Sequence, residues 1–287
     1  MRKIYYTLLS GDEKYTVGEL LKSKLSISSR VLSGLKKENL IFLNDIPCHT
    51  WQKGKNGDTL SFVLQDTFPS ENVVPRKIPL DIIYEDDDIL AVNKPSDMPV
   101  HPSINNYENT LGNAVMYYFR NIPFVYRPVN RLDRDTTGAV IIAKTQQACF
   151  NLSKQMQNGF FKKTYLAVID GVPEKEHGII DAPIARVPGS AIKRCVSPLG
   201  KPAFTEYDLL QSNGEISLVQ VKLHTGRTHQ IRVHFSYIGY PLLYDYLYGR
   251  EVPGKILLLH CEKLEFAHPV TNKPLTIIAK RTFPCFS

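Results

Sequence analysis

PVNRLDRDTTGAVIIAK, residues 128–144, sets an irregular polar segment directly against a strand. Arg131, Asp133, Arg134, Asp135, Thr136, Thr137 and Gly138 crowd its first part. Residues 139–144 follow, rich in β-branched side chains, and read as a buried strand. Reactive side chains are commonly carried on loops braced by a strand. Asp133 therefore stands out as a candidate, with a polar turn whose charges pair among themselves as the plain alternative.

Working outward, residues 80–84 and 89–93 read as strands around an acidic turn at 85–88. Residues 165–170 and 218–223 alternate apolar and polar positions, again as strands. Helices are predicted at about 110–118, 146–157 and 228–238. The order is not a clean β-α-β-α alternation. It predicts an α+β domain with a mainly antiparallel or mixed sheet flanked by helices, not a doubly wound fold.

Upstream, DTFPSENVVPRKIPL (66–80) holds three prolines and little periodicity. Proline interrupts helices and sheet ladders alike. This predicts a small module at 1–65, a linker at 66–77 and a larger domain at 78–287. In the module, Thr16 and Glu19 form a T-x-x-E capping box. Val17, Leu20, Leu21 and Leu25 then share one helical face. A second helix is expected at 29–38, with Val31, Leu32 and Leu35 buried and Arg30, Lys36 and Lys37 in water. A strand at 40–43, a turn at Asn44-Asp45 and a strand at 59–64 complete it. Residues 20–40 hold five Lys/Arg and one acid, Glu38, so they carry a net charge of +4. Such a run is either a solvated face or a phosphate-contacting one.

The whole chain has a formal net charge of +7 and a pI near 9.0, which fits a polyanionic partner such as nucleic acid. A protein that is merely basic is the bland alternative. Five cysteines, Cys48, Cys149, Cys195, Cys261 and Cys285, are odd in number and widely spaced, which argues against a disulfide framework or a zinc site. No signal-like apolar stretch opens the chain, and the longest apolar runs are too short to span a bilayer. A soluble, cytoplasmic protein without membrane contact is expected, with a monomer as the default.

Two more segments carry candidate chemistry. In KKTYLAVIDG (162–171), Tyr165 begins a strand, and a core tyrosine is the plain reading. In LHTGRTHQIRVHF (223–235), Gly226 makes a turn, a helix begins near Thr228, and Arg227, Arg232 and the histidines are available to a ligand or a carboxylate. His224, His229 and His234 are five apart, which sends the side chains in different directions on a helix or a strand. No metal is expected there.

Together, NRLDRDTTGAVIIAK, KKTYLAVIDG and LHTGRTHQIRVHFSYIGYPLLYD resemble the three motifs of the RluA family of RNA pseudouridine synthases. IYEDDDILAVNKPSDMPVHP and LLHCEKLEFAHPVTNKPL support the resemblance, which covers about residues 78–283. The module in front, two short helices and a strand with a basic second helix, resembles the S4-type RNA-binding module. One departure is visible: Asn130 stands where the family usually has histidine before Arg-Leu-Asp.

The resemblance implies an enzyme that detaches uracil N1 from ribose C1′, turns the base and rejoins it through C5, with RNA as partner and no cofactor. It puts Asp133 at C1′, as nucleophile or as base toward a glycal intermediate. Arg232 is implied as its partner, and a direct Arg232–Asp133 ion pair is expected. Tyr165 would stack on the uracil and help remove the C5 proton. Arg131 would fill the place of the extruded uridine. Arg227, Lys94, Arg30, Lys36 and Lys37 are candidate phosphate contacts. Large-subunit ribosomal RNA is favoured over transfer RNA. A non-catalytic RNA-binding protein and a glycoside hydrolase using Asp133 and Asp135 are the alternatives.

Overall fold

In the computed structural model, which describes residues 2–25, 27, 29–64, 73–103 and 106–286, the chain builds two main sheets, each with its own apolar core. The first has the order β1 (Arg2–Thr7), β4 (Thr59–Leu64), β2 (Ile41–Leu43), β3 (Ile46–Pro47), all antiparallel. The helices α1 (Val17–Ser23) and α2 (Ser29–Lys37) pack on it. The capping box is present: Thr16 Oγ1 accepts from the Glu19 N–H and the Glu19 carboxylate accepts from the Thr16 N–H. Val17, Leu20 and Leu21 of α1 meet Val31, Leu32 and Leu35 of α2 over Leu60 and Phe62. Asn44 and Asp45 turn the chain between β2 and β3 with φ of 51° and 62°, a conformation these two residue types tolerate.

The second sheet has nine strands. It uses β5 (Ile82–Glu85), β6 (Ile89–Lys94), β7 (Thr137–Ala143), β8 (Lys162–Asp170), β9 (His177–Asp181), β12 (Phe204–Ser212), β13 (Ile216–Leu223), β14 (Leu259–Ala267) and β15 (Pro274–Ile278). Their order is β5-β6-β7-β14-β8-β13-β12-β9, with β15 on β14. A separate hairpin pairs β10 (Ile184–Arg186) with β11 (Arg194–Val196). The sheet is mixed, because β7 meets β14 in parallel and the other pairings are antiparallel. Three helices accompany it: α3 (Leu111–Tyr118), α4 (Gln146–Gln157) and α5 (Gln230–Tyr237). Among the described residues no helix is long and apolar enough to cross a membrane.

The expected linker falls largely outside the described residues. Its end is fastened to α3: the Asn113 side chain donates to the Val74 carbonyl at 2.7 Å, and the Arg76 N–H donates to the Asn113 carbonyl.

β7 is buried along its whole length, as its β-branched composition predicts. Its close crossing with β14 requires Gly138. There φ is +113°, and a β-carbon would sit 2.3 Å from the Cys261 carbonyl oxygen, a clash that no other residue escapes. This crossing leaves only Cys261 of β14 between Gly138 at the start of β7 and Tyr165 on β8.

Candidate active site

The 127–130 segment runs along the free edge of β7. The Val129 N–H donates to the Ile141 carbonyl, and the Ala143 N–H to that of Arg127. Asn130, buried, continues this pairing with its side chain: its amide donates to the Ala139 carbonyl at 3.0 Å and accepts from the Ile141 N–H at 2.8 Å. Asn130 thus does a backbone's work in side-chain form, where the chain must leave the strand to form the Asp133 loop.

Lys94, fully buried at the end of β6, holds the other side of that loop. Its ammonium donates to the carbonyls of Pro95, Met98 and Arg134 at 2.8–2.9 Å. Burial pushes its pKa down to about 7, against the attraction of Asp135, Asp133 and Asp97. The expectation that Lys94 contacts phosphate is therefore corrected. All three of its donors are spent inside the protein, with no exposed surface left to offer.

Asp133 lines a cavity of about 900 Å³. Its lining brings together Arg131 and Asp133 from the loop, Lys163 and Tyr165 from β8, and Arg227 and Arg232 from the segment after β13. Three stretches far apart in sequence thus meet at one cavity. Asp135 is not part of this lining; it pairs with Arg134 at 3.1 Å. The two-aspartate arrangement of a glycoside hydrolase is thus not what the loop presents.

The expected Arg232–Asp133 ion pair is not formed. Arg232 Nε and Nη2 each donate to a different oxygen of Asp245 at 2.7 Å, and both side chains are almost fully buried. Asp245 Oδ1 also accepts from the Leu247 and Tyr248 N–H groups at 2.9 and 3.1 Å. A bidentate fork with two extra donors outcompetes a single carboxylate on a loop. Burial works against the Arg232 charge, but the hydrogen bonds and charge of Asp245 outweigh it and raise its pKa, with Asp133 adding attraction. Tyr246 and Tyr248 place their rings 5.6 and 5.2 Å from the guanidinium carbon.

Asp133 does have His229 close by, whose Nε2 lies 4.0 Å from its Oδ1. His229 caps α5 in the left-handed region, φ 58°, which aims its ring into the cavity. Its Nδ1 is 2.8 Å from the Tyr248 hydroxyl, which itself accepts from the Arg194 N–H. The Tyr248 hydroxyl thus fixes the orientation of the ring, with Nε2 facing Asp133. Burial lowers the His229 pKa, against the pull of Asp133, and keeps the ring neutral. The other two histidines of the 223–235 segment go elsewhere. His224 is 2.9 Å from Glu206, and buried His234 contacts Thr205 Oγ1 and the Ala182 carbonyl.

Tyr165 is buried, with Cys261 opposite it on β14. Burial, then Cys261 and Asp133, hold its hydroxyl pKa well above the ordinary value, so it is a neutral phenol. Arg131 is exposed on the rim. Arg227 donates from Nε to the Pro202 carbonyl at 2.9 Å, and Gln230 accepts from its N–H. Lys36 and Lys37 are exposed at the end of α2. The Arg30 side chain lies outside the described residues.

A family model described as RNA pseudouridylate synthase matches residues 88–237. An Aquifex aeolicus protein named as an uncharacterized RNA pseudouridine synthase is 38% identical over 283 residues, covering 92% of this chain and 89% of its own. The chain belongs to the RNA pseudouridylate synthase family. As a pseudouridylate synthase it is an isomerase that converts uridine to pseudouridine in RNA. A second relative of this synthase, named ribosomal large subunit pseudouridine synthase D in Pasteurella multocida, is 37% identical over 258 residues, 83% of this chain and 78% of the relative. A solved structure, Human RNA Pseudouridylate Synthase Domain Containing 1, is 27% identical with a TM-score of 0.62, covering 73% of this chain and 86% of the human one.

The cavity sets the Asp133 carboxylate, the Tyr165 side chain and the cationic Arg131, Lys163 and Arg227 around one space. Asp245 and Tyr248, which the sequence does not single out, stand behind this lining: Asp245 holds Arg232, and Tyr248 contacts His229. Asp245 closes the third quoted motif yet carries no local pattern that marks it, and only the fold brings it to Arg232.

Proposed function

We propose that this synthase acts on large-subunit ribosomal RNA, with Asp133 as the group that engages C1′ of an extruded uridine. The observation that carries this reading is the convergence of Asp133, Tyr165, Arg131 and Arg227 on one cavity. The N1–C1′ bond breaks with its electron pair leaving on the base. Asp133 serves C1′ either by bonding to it or by taking a ribose proton toward a glycal. C5 then bonds to C1′ as the Asp133–C1′ bond breaks, or as Asp133 returns the ribose proton to the glycal; N1 regains a proton and the C5 proton is lost. Tyr165, a neutral phenol, acts as a relay that passes its own proton to water as it takes the one from C5, and its ring stacks on the base. Arg131 fills the vacated stack. Arg232, held by Asp245, supplies fixed positive charge near Asp133.

We further read residues 1–65 as an S4-like module, with 66–77 as linker, whose Arg30, Lys36 and Lys37 contact phosphate. Exposed Lys36 and Lys37 on one short helix support this. The names of relatives such as the Pasteurella multocida synthase favour ribosomal over transfer RNA. Five free cysteines fit a reducing cytoplasm. Tritium release from C5-tritiated large-subunit RNA and transfer RNA transcripts tests the reading. Release from the ribosomal transcript, abolished by Asp133→Asn, is expected. Tight binding without release would return the protein to the non-catalytic class, and release from transfer RNA alone would overturn the substrate.

A further inference from the structure

Lys163 is a cation lining the cavity to which the proposed function gives no role. It lies on β8 two residues before Tyr165, and successive side chains of a strand alternate faces, so the two share one face. The strand carries no register shift of its own there; the bulge near Cys261 is on β14. The Lys163 ammonium rests under the turn after β13, 3.5 Å from where a β-carbon of Gly226 would stand. Among the described residues it has neither a hydrogen bond nor an ion pair.

Its neighbours sharpen the contrast. Lys94 spends three donors on carbonyls, and Lys222 bridges Glu206 and Asp208. The titratable side chain that acts on Lys163 is Cys261, and burial pushes that thiol up to about 12, leaving it neutral. Burial in turn lowers the pKa of Lys163 itself. A half-buried ammonium without a partner costs free energy, and a site keeps such a group when the ligand supplies the partner.

The spacing indicates which ligand atom that is. Two strand residues span about 6.6 Å, so a base stacked on the Tyr165 ring presents its edge toward Lys163. The edge of uracil carries O2 and O4. Those oxygens take up the electron pair that N1 receives when the N1–C1′ bond breaks. We propose that Lys163 donates a hydrogen bond to a uracil carbonyl oxygen and stabilises the anionic base between cleavage at N1 and bond formation at C5. The inference rests on the Asp133 and Tyr165 roles proposed above. It adds no reactant: the electron pair returns to C1′ through C5, the C5 proton leaves by way of Tyr165, and N1 is reprotonated from water.

The test is single-turnover kinetics on wild type, Lys163→Met and Lys163→Arg, with C5-tritiated large-subunit RNA and with the same RNA carrying 5-fluorouridine, whose consumption is read by mass spectrometry of digests. Wild-type release is the control: its absence would sink the proposed function and not this step alone. For Lys163→Met the expected loss is about 100-fold in turnover, as for a removed oxyanion donor. RNA affinity should be unchanged within twofold, with partial recovery in Lys163→Arg. Fluorine withdraws electrons and stabilises the detached base by itself, so the defect should shrink several-fold on 5-fluorouridine RNA. Unchanged turnover overturns the proposal. An affinity loss with a shallower salt dependence assigns Lys163 to phosphate instead. Equal defects on both RNAs, or a melting temperature well below wild type, make it a structural residue.

Discussion

Two carboxylates flank Arg232, and they are treated oppositely. Asp245 is fully buried and accepts four hydrogen bonds, two from the guanidinium and two from backbone N–H groups. Asp133 is a quarter exposed and has a neutral histidine at 4.0 Å. A carboxylate whose lone pairs are all occupied is a structural anion; it cannot approach a reacting atom without abandoning its donors. One that is underserved retains the capacity to bond elsewhere. The cavity thus divides two jobs that the sequence reading assigned to one ion pair: Asp245 fixes the arginine, and Asp133 is left available.

The hardest blow to that division is Asp133→Asn. It keeps the shape and removes the charge. Tritium release should fall at least about 10³-fold, as expected when a covalent or proton-transfer group is lost. The melting curve should barely move, because little in the fold leans on this side chain. A large stability loss would make Asp133 the structural partner after all.

Asp245→Asn reverses the pattern. It leaves the buried Arg232 charge without its counter-ion, which costs about 3–5 kcal/mol. Urea unfolding at constant m-value measures it. A variant that unfolds like wild type would show that Arg232 has found Asp133 instead, and the predicted pair of the sequence reading would then be the resting alternative.

Asn130 tests the loop that separates the two carboxylates. Asn130→Ala strands the Ala139 carbonyl and the Ile141 N–H, at about 1–3 kcal/mol for each buried group left unpaired. Asn130→His keeps one donor and one acceptor on its ring. Its stability loss should be smaller, and its turnover closer to wild type than that of the alanine variant. Equal losses in the two would mean that strand pairing by the side chain is not what position 130 requires.

What was legible in the sequence follows the same line between local and non-local chemistry. The capping box, the α4 limits and the buried β7 were readable because pattern alone specifies them. The sequence pattern does not mark β12, β14 and β15 as strands, because they carry charged or polar residues on their exposed faces; β14 is held by long-range pairing with β8, and β12 and β15 by pairing with β13 and β14. Asp133, Tyr165, Arg131, Arg227 and Arg232 were singled out by their motifs, and all five line one cavity. Lys94 was misread, since a lysine beside a proline turn gives no hint that three carbonyls will close on it. Asp245 and Tyr248 escaped because their meaning depends on Arg232 and His229, 13 and 19 residues away.

The smallest effect separates the buried site from the exposed basic helix. Lys36 and Lys37 are solvated at the end of α2 and are not part of the cavity. Replacing both with alanine should leave folding within about 0.5 kcal/mol per site, as for surface positions in general. If they neutralise RNA phosphates, each removed contact lowers the slope of log affinity against log salt by about 0.7–0.9. The double variant should then bind RNA several-fold more weakly at moderate salt and converge on wild type at high salt, while turnover on saturating RNA stays the same. This is the reverse signature of Asp133→Asn, which should lose turnover and keep affinity and salt slope. A double variant with wild-type salt dependence would mean that this charged face is simply solvated, and RNA is then held by Arg131, Arg227 and the rim of the cavity.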